Sequence, residues 1–213
     1  LFHDLFTNNI AYVQIGFDAL SIPLDKVPYL SLVGNLVLGM GTRKHSYMEI
    51  SQLLGIHTGG LRSWHFTSTK INDHKSLLSR IFFSGKGLME NLDHLFDIWD
   101  EVILEYDFNN PKRLVEIIKS SKASMEDSIL SSGNHYVLSR LNSYQSLLGQ
   151  YNELTDGISY YRFLETLLDR AEKNPDEVAE EFKGITQSLF TKENIFLNIT
   201  APESDYKKIE KRV

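Results

Sequence analysis

No cysteine occurs in the 213 residues, which excludes a disulfide framework and any thiolate metal site. That lack fits a reducing compartment, where disulfides are rare. No apolar run approaches ~18 residues, so nothing reads as a membrane span, and no secretory signal pattern opens the chain as given. Basic residues are in deficit too: 22 Lys and Arg stand against 28 Asp and Glu, leaving a net charge of −6. A nucleic-acid interface normally shows as a basic face. The one basic cluster, Lys207-Lys208 with Lys211-Arg212, is interrupted by Glu210 and reads as a solvated tail. Neither nucleic acid nor a membrane is an expected partner. The first residue is Leu1, so the chain is expected to start inside a longer reading frame or after processing.

What is present describes a folded domain. Hydrophobic residues make up 42% and charged residues 23%, and a chain of this size hides roughly 70% of its unfolded surface. Val13, Ile15, Phe17 and Ala19 alternate with polar positions as one face of a strand. Asp25 precedes an apolar run through Leu36, Val37 and Met40 that reads as a deeply packed helix, with Pro28 in its first turn and a stop at Gly39-Met40-Gly41. Ser46 and Glu49 form a capping box for a second helix that should end at Gly55. Residues 61–69 and 77–84 read as a hairpin.

From Met89 the apolar period changes to helical, through Leu92, Leu95, Phe96, Trp99, Val102, Ile103 and Tyr106. Asn110-Pro111 starts another helix. Helices are expected around 134–148, with Val137, Leu141, Tyr144 and Leu148 inward, over 151–173, and after Asn174-Pro175. Ile195–Ile199 reads as a strand returning to the sheet. The predicted class is α+β, a mostly antiparallel sheet with helices packed on one face. Residues 1–200 form the domain, and 201–213 read as a linker or the start of a next domain.

No complete active site emerges. The seven histidines (His3, His45, His57, His65, His74, His94 and His135) show no helical ligand spacing, although His57 and His65 lie where they would approach each other. Thr58-Gly59-Gly60 follows a helix and opens a strand, the reverse of a phosphate loop, and reads as a tight connection. The carboxylate pairs Asp100-Glu101 and Glu180-Glu181 read as solvated helix faces. Trp64 and Phe66 alternate with Ser63, His65 and Thr67, so one set faces the core. Arg140 and Glu153 are placed to form an ion pair between helices.

Gly41-Thr42-Arg43-Lys44-His45-Ser46, the later Gly59-Gly60 and Trp64-His65-Phe66-Thr67-Ser68 resemble the repeated core unit of the pitrilysin/insulinase metallopeptidase superfamily. In that family's catalytic units, a preceding helix carries His-x-x-Glu-His, whose imidazoles bind zinc and whose Glu activates water. The spacing places those positions on Leu32-Val33-Gly34-Asn35-Leu36. Leu32 and Leu36 cannot ligate zinc, and Asn35 cannot take a proton. Ile117–Met125 offers no carboxylate as a third ligand. Val27-Pro28-Tyr29-Leu30 and Ile56–Gly60 suit the presequence-protease-like subfamily. So do Gly133-Asn134-His135-Tyr136, Arg140, Glu153, Gly157-Ile158-Ser159-Tyr160 and Phe163-Leu164. The matching stretches span most of residues 10–165.

The resemblance implies a non-catalytic third domain at the start of the C-terminal half of a zinc peptidase. Its partners are the other domains of the same polypeptide and unfolded peptides enclosed in their chamber, and the zinc sits in the first domain. It implies a cytoplasmic protein in a bacterium, the preferred setting, or an organelle matrix in a eukaryote. The alternative is a structural or regulatory subunit of the same fold. A weaker third reading is a self-sufficient enzyme using the scattered histidines.

Overall fold

The computed structural model describes residues 1–212 and, apart from the His74 side chain, the surroundings of each. The chain runs β1 (Phe2–Asp4), β2 (Ile10–Asp18), a 3-10 turn (Leu24–Tyr29), α1 (Leu30–Gly39), α2 (Tyr47–His57), β3 (Leu61–Lys70) and β4 (Asp73–Leu88). Then come α3 (Leu92–Leu104), α4 (Pro111–Ser131), α5 (Gly133–Ser143), α6 (Leu147–Asp156), α7 (Ile158–Lys173), α8 (Pro175–Leu189), β5 (Ile195–Ala201) and α9 (Glu203–Glu210). The sheet order is β1-β5-β2-β4-β3. All neighbours are antiparallel except β1 and β5, so the sheet is mixed but mostly antiparallel.

Most elements begin where local chemistry starts them. The Ser46 hydroxyl accepts from the Glu49 amide while the Glu49 carboxylate accepts from the Ser46 amide, closing the capping box. The Asn110 side chain accepts from the Arg113 amide ahead of Pro111. Pro28 does not enter α1 but lies in the 3-10 turn before it. α2 runs through Gly55 to His57, because tertiary context outweighs a glycine's weak preference for stopping.

Several expectations about the second half and the termini are corrected. Residues 134–148 are not one helix: the chain breaks after Ser143, and the Ser146 hydroxyl caps α6 through the Gly149 amide. A second break at Gly157 separates α6 from α7. The predicted inward stripe of α5 faces out, with Val137, Leu141 and Tyr144 61%, 51% and 73% exposed. Periodicity finds an apolar stripe but cannot say that anything covers it. β1 went unpredicted, being too short to show alternation. The segment 201–213 carries α9, whose Ile209 is fully buried, and Arg212 meets Asp93 and Asp97 of α3.

Register sets the two faces of the sheet. Val13, Phe17, Ile81, Phe83 and Ile199 point into the core with α1, α3 and α8. On the other face, Trp64 of β3 lies opposite Phe82 of β4, which lies opposite Gly16 of β2, which lies opposite Phe196 of β5. Trp64 stacks on Phe82 at 5.2 Å, and Phe82 meets Phe196 edge-on at 5.3 Å across the glycine. A Cβ at Gly16 would fall 2.0 Å from the Phe196 ring. Gly16→Ala is therefore expected to cost about 1–3 kcal/mol through overpacking. Urea unfolding should show most of that cost disappearing in a Phe196→Ala background.

Candidate functional site

Helix α1 carries the positions that would bear a zinc motif, and its burial decides their role. Leu30, Leu32, Val33, Leu36 and Val37 are each no more than 1% exposed. Leu32 and Leu36 belong to the hydrophobic core, while Asn35 is exposed on the opposite side of the helix. Gly34 lets α1 ride directly on β3, since a Cβ there would fall 1.7 Å from the Ser63 hydroxyl. Ser63 thus faces the helices, as do His65 and Thr67, while Trp64 and Phe66 turn outward. The side of β3 that faces the helices is the polar one.

Those inward polar groups line a cleft of about 920 Å³ bounded by α1, β3, α4, α5 and α6. Asn35 lies on its wall beside Ser120, Ser121 and Ser124 of α4, with Asn142, Asn152, His135 and Asp156 around it. At the β3 wall, the His65 Nε2 is 2.8 Å from the Ser79 hydroxyl, which is 2.8 Å from the Tyr151 hydroxyl. A Ser–His contact of this length is the geometry of an activated nucleophile. Ser79 is fully buried, so no substrate reaches it. Burial pushes the His65 imidazole down to about 4, so it is a neutral, structural hydrogen-bonding group at physiological pH.

The predicted Arg140–Glu153 pair is present. The Arg140 Nη1 donates to the Glu153 Oε1 at 2.7 Å, and that oxygen also accepts from the amide and hydroxyl of Ser159. Glu153 is 4% exposed, so this contact ties α5 to the α6–α7 joint. The carboxylate pairs are only half solvated, which corrects the sequence reading. Asp100 and Glu180 are exposed. Glu101, however, accepts from Thr42 and is 2.8 Å from the His45 Nδ1, locking the Gly41–Ser46 loop. Glu181 holds Tyr29, Lys26 and Arg170 together. Burial raises its carboxyl, but the Arg170, Tyr29 and Lys26 contacts outweigh that and leave it below the usual range.

The histidines do not converge. His57 stacks on His94 at 4.1 Å rather than meeting His65, and stacked rings do not aim their in-plane lone pairs at one ion. Among the described residues no group of three or more His, Cys, Asp or Glu is placed to hold a metal; the His74 side chain lies outside them. Thr58-Gly59-Gly60 forms the expected tight connection, with Gly60 at φ +91° and its amide donating to the Thr58 hydroxyl.

The family of domains associated with peptidases of metallopeptidase family 16, subfamily C, matches residues 1–167. The chain belongs to that family. As a member of this peptidase-associated family it is 29% identical over 99% of its length to "Presequence protease 1, chloroplastic/mitochondrial" of Arabidopsis thaliana, covering 19% of that protein. It is 30% identical to "Presequence protease, mitochondrial" of Saccharomyces cerevisiae over 92% of this chain and 20% of that one. The chain thus spans about a fifth of the length of these curated relatives. In fold it is similar to a conserved protein of Enterococcus faecalis V583, with a TM-score of 0.67 at 12% identity, over 99% of this chain and 48% of that one.

The sequence pointed to the Leu positions of α1 and to the Arg140–Glu153 pair, but missed the cleft. Its signal was the serine spacing on α4: Ser120, Ser121, Ser124 and Ser128 mark a polar helix stripe that nothing else in the sequence explains. The site also yields a pH dependence. An unfolded His65 takes up a proton near pH 6.5. Stability is therefore full above that pH and declines as pH falls toward 4, by up to about 3 kcal/mol. Unfolding free energies measured from pH 7 to 4 should fall less steeply for His65→Gln than for the parent.

Proposed function

We propose that this chain is the non-catalytic third domain, opening the C-terminal half, of a zinc-dependent oligopeptidase resembling presequence protease. The observation that carries the reading is the alignment of presequence proteases along 99% and 92% of the chain. The burial of Leu32 and Leu36 agrees with it. On this reading the fold is the repeat unit of the pitrilysin type, and zinc resides in the first domain of the whole protein. Residues 1–200 are the unit, and 201–213 lead toward the next domain, docked by Ile209. The unit works as chamber wall and as part of a closing lid that excludes water and folded proteins. Its partners are the remaining domains and unfolded peptides. The setting is the cytoplasm of a bacterium or an organelle matrix, and no helix of the described residues is long and apolar enough to cross a membrane.

Zinc content and cleavage of unstructured peptides by the whole protein test this reading. Metal analysis should find one zinc per polypeptide, held upstream of this chain, and cleavage should stop when the metal is chelated. A whole protein that binds no zinc and cleaves no peptide would make the domain part of a structural subunit.

A further inference from the structure

The cleft between β3 and helices α1, α4, α5 and α6 has no role in the folding contacts described above, yet it is built with a distinct chemistry. Its volume of about 920 Å³ lies at the upper end of the range of ligand sites, about 300–1,000 Å³. The walls are hydroxyls and amides, and no Lys or Arg lines it. Ser120, Ser121, Ser124, Ser139 and Asn35 make no side-chain hydrogen bond with another described residue. Asn152 uses only its carbonyl oxygen, accepting from Thr67 at 2.6 Å. A surface this rich in idle donors and acceptors suits a backbone, whose amides need both.

Charge narrows the choice. Asp156, the last residue of α6, is the only carboxylate on the lining, and no Lys or Arg among the described residues pairs with it. It is open to solvent on the cleft side, and the protein packed behind it raises its carboxyl, with nearby His135 partly offsetting that. His135 and the buried, neutral His65 are the other groups here that titrate near neutrality. β3, which forms one wall, is the outermost strand of the sheet and has β4 as its one partner. An edge strand beside a groove is a known receptor for an extended peptide.

We propose that this cleft is a docking site for an extended peptide segment carrying a cationic side chain, with Asp156 receiving the cation and the serine and asparagine side chains bonding the peptide backbone. The assignment rests on the peptide-degrading reading of the whole protein and names a substrate feature that reading leaves open. A lysine or arginine several residues from the scissile bond would be held here, away from the zinc. The contact acts on binding and leaves the chemical step untouched.

Two labelled unstructured peptides test it, identical except that one arginine is replaced by citrulline, its neutral isostere. Equilibrium anisotropy is read on the whole protein with the metal chelated, so that no turnover intervenes. The arginine peptide should bind roughly 5–10-fold tighter, the scale of one charge-assisted contact. Asp156→Asn should erase that preference, and Ser124→Trp, at an exposed position on the cleft wall, should weaken binding of both peptides. A preference that survives Asp156→Asn, or binding unchanged by Ser124→Trp, overturns the proposal. Cleavage is measured separately on the metal-loaded protein. Absence of cleavage with the binding preference intact removes the peptidase reading and keeps the cleft, and the reverse result removes the cleft alone.

Discussion

Helix α1 has no free apolar side, and the arrangement of the domain follows from that. Its leucines and valines are wedged between β3 and the helices α3, α4 and α6, and taking each one out of water contributes about 1.5–3 kcal/mol. An imidazole pair gripping a metal needs an open, polar pocket at the same place, with further groups to orient the rings. The two demands are incompatible on one helix face. Filling the i and i+4 positions with leucine turns a site for chemistry into the keystone of the core, and the metal chemistry then has to come from elsewhere in a longer polypeptide.

The same wedge explains why β3 is turned with its polar side in. Gly34 brings α1 down onto Ser63, leaving room at that point for a hydroxyl and nothing larger. Trp64 and Phe66 consequently take the outer face, where they join Phe82 and Phe196 in an aromatic row closed over Gly16. Further along β3, His65 and Thr67 face helices that carry serine and asparagine rather than leucine. The cleft is therefore a consequence of how the core was closed, and its neutral His65 and buried Ser79 fix its floor without offering a nucleophile.

Much of this was legible in advance, and the failures share one cause. Strand alternation in β2, the capping box of α2, Pro111 and the long apolar period of α3 are local signals, and each named its element. The zinc-motif positions were legible through spacing, because leucine at two ligand positions is unambiguous. Burial against solvent is a tertiary fact: Val137, Leu141 and Tyr144 have the spacing of a core stripe and lie in water, while Glu101 and Glu181 have the composition of a solvated face and hold loops together. The breaks at Ser146 and Gly157 were hidden because apolar periodicity resumes on both sides. No local pattern could reveal the cleft, whose walls come from residues 31 to 160.

The central claim is that the degenerate motif positions are structural, and the unfolding free energy of three single variants tests it most directly. Leu32→Ala and Leu36→Ala should each lose about 2–5 kcal/mol, the cost of a cavity in a closed core. Asn35→Ala, on the cleft side of the same helix, should stay within about 0.5 kcal/mol of the parent. Leucine variants as stable as the parent, or a Leu32→His/Leu36→His double variant that stays folded and binds zinc stoichiometrically, would contradict the account.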